Sequence, residues 1–449
     1  MGILRIQWHS KITGKILKGR SPYIVVPESH FDVAVIGAGI VGLTSAYYIK
    51  KNNPDVNIVV IDKAPTYAQG NTARSAAGFR DMFSSEMNFN LSNSSINYYR
   101  HVQEDLGHDL GMQFVGYLFL TNQEDPRLKV LQKVAQRSKV RALDSDALSR
   151  YDFLRTKLDD DTRSLMNLKD IDLAILGENC GTIEPELVAD YYYNSALRLG
   201  VKFIFNTLVK ELHLEPVDPL DYPGEPFLWQ KKQLKKVQTN NGEIEADIFI
   251  MCTDVWTTGL LDPTGIDSHI RPKKRMVFQI SGPTVENVLF GWDQNKDGVL
   301  PFTILPSFGV YLRPAPKARS LWVGTADDYN RDYSFSEDPQ PEREYYDNSL
   351  AQIIQAYFPT MTYPKVTGEW AGYYAYNTID GTPYIFRDLN IIVASGTSGS
   401  GILKGDSIGR IVEALYSGRE KAELYNGKKF STSRLGIENR EVEREEFVI

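Results

Sequence analysis

The chain has 449 residues, 42% hydrophobic and 24% charged, with a formal net charge of -7. That composition belongs to a folded globular protein of two or three domain-sized units. The acidic balance argues against nucleic acid as the main partner, because phosphate binding needs a concentrated basic face. Two cysteines, Cys180 and Cys252, make neither a disulfide framework nor a zinc site. They imply a reduced, cytoplasmic setting and no metal.

The first segment, residues 1–30, has no continuous apolar core of the kind a secretion signal carries. It reads as a surface-draped extension; the second reading is a subunit or membrane-surface contact through Lys11, Lys15, Lys18 and Arg20. No apolar run approaches the roughly 18 residues that span a bilayer. From Phe31, "FDVAVIGAGIVGLTSAYYIKKNN" predicts a strand, a glycine turn and a helix, and "VNIVVID" a second strand ending at Asp62. Gly37, Gly39 and Gly42 then have the spacing of a dinucleotide fingerprint inside a βαβ unit. The first glycine permits the turn, the second admits a pyrophosphate beside Ile40 and Val41 at the helix start, and the third lets helix and strand pack. Asp62 suits a ribose diol and would repel a 2′-phosphate, which leaves NAD or FAD.

A polar loop with Lys63, Thr72, Arg74, Ser75, Ala77, Gly78 and Arg80 follows. A second anion-friendly loop so close to the first favours a long, permanently held dinucleotide. A helix is predicted over "SSEMNFNLSNSSINYYRHVQEDLG", and the mixed stretch from about Met112 to Leu176 carries no nucleotide signature. "GTIEPELVADYYYNSALRLGVKFIFNTLVKELHLE" predicts a turn, a helix and two strands. The proline-rich "PVDPLDYPGEPFLWQKKQLKK" reads as a surface excursion from a hairpin. A hairpin around Asn241-Gly242 leads to a buried strand, and residues 271–365 are rich in strands. "LNIIVASGTSGSGILKGDSIGRIVEALYSG" is again strand, glycine loop and helix. The charged tail from Arg434 reads as a solvated end whose apolar close leaves room to pack back.

Taken in order, these segments resemble the flavoprotein family of D-amino-acid oxidase, glycine oxidase, sarcosine oxidase and dimethylglycine dehydrogenase, from Phe31 to about Gly418. "DVAVIGAGIVGLTSAYYI" is similar to its FAD fingerprint and "GNTARSAAGFR" to the loop passing the flavin. The segment around Val209 is similar to the adenine contact, "IFIMCTDVWTTGLL" to the A-A-G-x-W strand, and "GTSGSGILKGDSIGRIVEAL" to the C-terminal flavin loop. The resemblance implies an α/β (α+β two-domain) fold, a Rossmann-like FAD-binding domain interleaved with an antiparallel-sheet substrate domain. The expected division is 31–111, 177–268 and 366–420 for FAD and 112–176 with 269–365 for substrate; 421–449 forms a C-terminal tail.

For the cofactor it adds Thr253, Trp256, Gly399, Ser400, Gly401, Ile402, Leu403 and Lys404 to the loop residues above. Members that hold FAD covalently use a histidine where this chain has Ser75, or a cysteine where it has Tyr373-Tyr374, so non-covalent FAD is expected. The implied activity is oxidation of a small amino acid or secondary amine, proline- or sarcosine-like, with hydride passing from the carbon next to nitrogen to the flavin. Dye-linked proline dehydrogenases share this layout. Arginine suits a carboxylate clamp because its fork makes two hydrogen bonds, and Arg313 is the first candidate. Arg80 is the second, with Tyr311, Tyr374 and Tyr376 as pocket residues and Lys404 as the cation beside the reduced flavin. The alternatives are a 2-hydroxy-acid or glycerol-phosphate dehydrogenase, and a non-catalytic FAD-binding subunit. The electron acceptor (dye, quinone or dioxygen) and any homo-oligomer or electron-transfer partner stay open.

Overall fold

The computed structural model describes residues 30–326 and 332–447; the expected N-terminal extension with its basic residues lies outside them. The strand His30–Ile36 is buried along most of its length and pairs in parallel with Ile58–Ile61 on one side and Gly242–Met251 on the other. Strands buried on both faces read as nearly continuous apolar runs, as "VAVI" and "IVVI" do here. Lys202–Ile204 and Ile391–Ser395 extend the parallel order outward, and Tyr384–Asp388 closes one edge antiparallel. Helix α1, Ile40–Asn52, crosses from the first strand to the second. Three more long helices are α2, Glu86–Glu104; α3, Pro185–Arg198; and α4, Gly401–Tyr416. Helices α1, α2 and α4 pack together through residues such as Leu43, Leu91, Ile408 and Ile411.

The carboxyl ends of four parallel strands converge: Ile36, Ile61, Met251 and Val393 stand side by side in register. In an open parallel sheet that edge is where a ligand crevice forms, since the connecting loops diverge there. The glycine turn, Asp62, the Thr253 turn and the Gly399 loop all emerge at it.

A second sheet of eight strands runs in the order Lys365–Asn377, Ile270–Ser281, Ser320–Thr325, Val310–Ala315, Phe302–Ile304, Tyr117–Thr121, Leu173–Gly177 and Val140–Asp144. Its pairs are antiparallel except for Phe302–Ile304 with Tyr117–Thr121, so the sheet is mixed at that junction. The Lys365–Asn377 strand was expected among the cofactor-binding segments. It pairs instead with Ile270–Ser281 from Ile270 opposite Asn377 to Ser281 opposite Lys365. Its far end, from Gly372 to Asn377, reaches the cavity.

The excursion between the Val209–Pro216 and Lys232–Thr239 strands is exposed at its tip, with Leu228 94% and Trp229 73% accessible. The tail takes the second of its two expected courses. Phe447 is fully buried against Phe119, and Arg440 forks onto Asp380 at 2.7 and 2.8 Å. No helix among the described residues is long and apolar enough to cross a membrane.

Candidate functional site

The two sheets enclose one large cavity of about 1650 Å³. Small-molecule pockets run to about 1,000 Å³, so this one has room for a dinucleotide with a small substrate beside it. Its floor is the glycine turn. Gly37 has φ +104° and no room for a side chain, because a Cβ there would stand 2.5 Å from the Cys252 carbonyl oxygen. A Cβ on Gly42 would run into the Gly37 carbonyl, so this glycine lets α1 sit on the turn without itself lining the cavity. Gly39 is different: its Cβ would meet only Thr72 Oγ1 at 3.3 Å and would otherwise project into open space. The Thr72 hydroxyl accepts from Ile40 N at 3.1 Å, tying the second loop to the helix start.

Asp62 receives Ala38 N at 2.6 Å and Ala64 N at 2.8 Å, which fixes its carboxylate at the end of its strand. Gly37, Gly39, Ile40, Val41, Asp62, Lys63, Thr72, Arg74, Ser75, Ala77, Gly78 and Arg80 all line the cavity except for Gly42 behind them. Val209, Thr253 and Trp256 line another side, and Gly399, Ser400, Gly401, Ile402, Leu403 and Lys404 a third. Lys63 Nζ lies 3.9 Å from the centre of the Trp256 ring and pairs with Glu337 at 2.5 Å. Gly399 has φ +87°, and its Cβ would strike the Tyr374 ring, so the C-terminal loop needs a glycine to pass under that tyrosine.

The second sheet supplies the opposite wall with Tyr311, Tyr374, Tyr376 and Arg275. The Arg275 guanidinium lies 4.9 Å from the centre of the Tyr374 ring and donates to Ala326 O at 3.1 Å. Tyr311 is buried, and desolvation pushes its hydroxyl well above the usual phenol range. Arg313 must be corrected. It does not line the cavity: it is 1% exposed, pairs with Glu184 at 3.0 Å and donates to Ala76 O and Ile183 O at 3.2 Å. Its guanidinium covers the Trp322 ring at 4.1 Å. Residues i and i+2 share a strand face, so Tyr311 and Arg313 do point the same way. One repeat further along, however, Arg313 meets the Ala76 and Ile183–Glu184 backbone rather than the cavity.

Arg80 lines the cavity but is already engaged, donating to Met82 O and to Phe447 O. Burial pushes its guanidinium down, partly offset by Tyr117 and Glu445. Lys404 is buried, and desolvation is the main reason its ammonium is lowered to about 7; Glu445 opposes that shift and Arg80 adds to it. Two residues escaped the sequence reading. Arg275 lay in the basic run "RPKKRMVF", whose alternation puts Arg271, Lys273 and Arg275 on one face of the strand. Asp254 takes φ +50° in the altered A-A-G-x-W strand. Burial raises its carboxyl to about 6, although Asn71 Nδ2 donates to it at 2.6 Å. Cys252 also faces the cavity, and burial lifts its thiol to about 12, which fits a small packed hydrophobe.

The model of the family described as DAO, FAD dependent oxidoreductase, matches residues 32–415. The chain belongs to this family. FAD is therefore the cofactor, and the chain is an FAD-dependent oxidoreductase with the α/β fold expected for it. The DAO-family chain is 25% identical over 418 residues to FAD-dependent oxidoreductase domain-containing protein 1 of Xenopus laevis, covering 87% of this chain and 80% of that one. It is 24% identical over 415 residues to glycine oxidase of Bacillus subtilis, covering 88% and 95%. In structure it resembles L-proline dehydrogenase from P. horikoshii with a TM-score of 0.69 at 21% identity, over 90% of this chain and 98% of that chain. That last likeness concerns the fold alone.

The residues present fit FAD. The glycine turn leaves open space at Gly39 for a group that approaches the backbone, and a fixed carboxylate stands at Asp62. Around it lie a helix start at Ile40, a second glycine loop at Gly399 and a cavity of dinucleotide size.

Proposed function

We propose that this oxidoreductase acts on a small amino acid or secondary amine, proline- or sarcosine-like, and holds its FAD without a covalent bond. The observation that carries the proposal is the wall facing the glycine floor, where Arg275 stands beside Tyr311 and Tyr374. FAD, when bound, supplies the acceptor for a hydride from the carbon next to the amine nitrogen; the protein's part is binding, orientation and electrostatics. Arg275 offers a planar cation to a substrate carboxylate, the pairing that gives an arginine its directional grip. Tyr311 and Tyr374 keep that end of the cavity apolar apart from their hydroxyls, which orient the substrate and exclude water. Lys404 places a cation at the α4 end, suited to the negative charge of a reduced cofactor. Gly37, Gly39, Asp62 and Thr72 hold the dinucleotide. The names of relatives, glycine oxidase and L-proline dehydrogenase, agree with this substrate class.

None of the described histidines lines the cavity, so the base that hydroxy-acid oxidation calls for is not supplied by one of them. The test is anaerobic mixing of the yellow protein with proline, sarcosine, glycine, D-amino acids and 2-hydroxy acids. Bleaching by amines or amino acids is expected. Bleaching by hydroxy acids alone refutes the proposal.

A further inference from the structure

The tail does more than pack. After Arg440 the chain returns across the start of α2 and presents Glu445, one of the residues lining the cofactor cavity. Its Oε1 accepts from Ser84 N at 2.7 Å, Ser84 Oγ at 2.8 Å and Phe447 N at 3.0 Å. Its Oε2 accepts from Ser85 Oγ at 2.9 Å, Ser85 N at 3.2 Å and Asn88 Nδ2 at 3.2 Å. Six donors converge on one side chain that itself donates to none of them. That is the environment of an ionised carboxylate, since hydrogen bonds to the charged form favour it; although burial opposes the charge, the Ser84 and Phe447 donors and the Arg80 guanidinium hold its carboxyl below the usual carboxylate range.

Asn88 carries the next link. Its Oδ1 accepts from Lys404 Nζ at 2.8 Å, while its Nδ2 faces Glu445. A lysine ammonium only donates and an ionised carboxylate only accepts. The amide therefore has one orientation that satisfies both neighbours. Phe447 anchors the arrangement from beyond, buried against Phe119 with its carbonyl held by Arg80.

We infer that Glu445 is a positioning residue for the cofactor cavity: through Asn88 it holds the Lys404 ammonium charged and in place against the cavity wall. The inference rests on reading the cavity as the FAD site. The charged groups around Lys404 are Arg80 on the loop before α2, which opposes its charge, and Glu445 on the tail, which favours it. Arg80 in turn faces Tyr117, Cys180 and Arg127, and Arg444 lines the same cavity. Remove Glu445 and Lys404 keeps only the like charge of Arg80.

The experiment is a pH titration of the resting flavin absorbance in the intact protein. The wild type is expected to show a spectral step near pH 7, absent in Lys404→Met. Glu445→Gln, nearly isosteric but uncharged, should move the step down by about one pH unit, a tenfold change in proton affinity. Glu445→Asp should restore it at least in part. If Glu445→Gln does not retain flavin, Asn88→Ala keeps the backbone donors to Glu445 and should shift the step the same way. A flavin-bearing wild type with no Lys404-dependent step, or a step unmoved by both variants, overturns the inference alone. A purified protein that takes up no flavin overturns the functional reading as well.

Discussion

Two alanine substitutions two positions apart in the glycine turn should fail in different ways. In Gly37→Ala the new methyl would lie 2.5 Å from Cys252 O and 3.0 Å from Cys252 C, where ordinary contact begins near 3.4 Å. Relief requires the turn and the Cys252 backbone to part by about 0.9 Å. Both are held by the sheet, because Cys252 N donates to Ile36 O at 2.9 Å and Gly37 N to Ile61 O at 2.8 Å. Overpacking of this kind costs about 1–3 kcal/mol. Holding an alanine at φ +104° adds about 1–3 kcal/mol more. Gly37→Ala should therefore lower the stability of the apoprotein by about 2–6 kcal/mol. Gly39 has φ -74° and meets only the movable Thr72 hydroxyl, so Gly39→Ala should change apoprotein stability by less than about 0.5 kcal/mol. Its methyl occupies the space where a pyrophosphate would approach the backbone. Urea unfolding of the apoproteins, with FAD titration by flavin fluorescence, separates the two effects. Gly39→Ala should keep the wild-type midpoint and bind FAD at least tenfold more weakly, about 1.4 kcal/mol. The reasoning is refuted if Gly39→Ala binds FAD normally, or if Gly37→Ala unfolds at the wild-type midpoint.

Arg313→Met should behave as a structural variant. It leaves Glu184 and two carbonyls without their donor, and breaking a buried pair costs about 3–5 kcal/mol. Because Glu184 keeps some solvent contact, the lower end is expected, read as a drop in urea midpoint with the substrate KM of the folded fraction unchanged; a raised KM at unaltered stability contradicts this. Arg275→Met should do the reverse, raising KM for carboxylate substrates at least tenfold at near wild-type stability. Asp254→Asn should stabilise the apoprotein at pH 8. The folded carboxyl titrates near 6 and the unfolded one near 3.8, so the folded state binds more protons between those values and loses stability as pH rises through 6. Neutralising it should recover up to about 3 kcal/mol at pH 8 and little at pH 4. Equal effects at both pH values would contradict the burial argument.

The cofactor side of the cavity was legible because its signals are local. Gly37, Gly39, Gly42 and Asp62 fall within one βαβ unit; Gly37 and Gly42 answer to steric demands from the adjoining strand and from the turn itself, while Gly39 keeps the backbone open to a ligand. Gly399 and the start of α4 were legible for the same reason. The substrate wall was not. Tyr311 and Arg313 share one face of their strand, but strand periodicity carries no information about what stands opposite each position. Glu184, from a distant segment, claims Arg313. Arg275 was readable as part of an alternating basic face, yet nothing in "RPKKRMVF" distinguishes a cavity residue from a solvated one. Glu445 lies 357 residues from the Asn88 it touches, so its role depends entirely on the tail's path across α2.

The central claim is that one cavity brings an amine substrate to the FAD held by the glycine floor. It is tested most directly by single-turnover anaerobic bleaching of the flavin with the best amine or amino acid, unlabelled and deuterated at the carbon next to nitrogen. The account predicts saturable bleaching that slows on deuteration. Bleaching with no dependence on that deuterium, or none with any amine or amino acid, would contradict it.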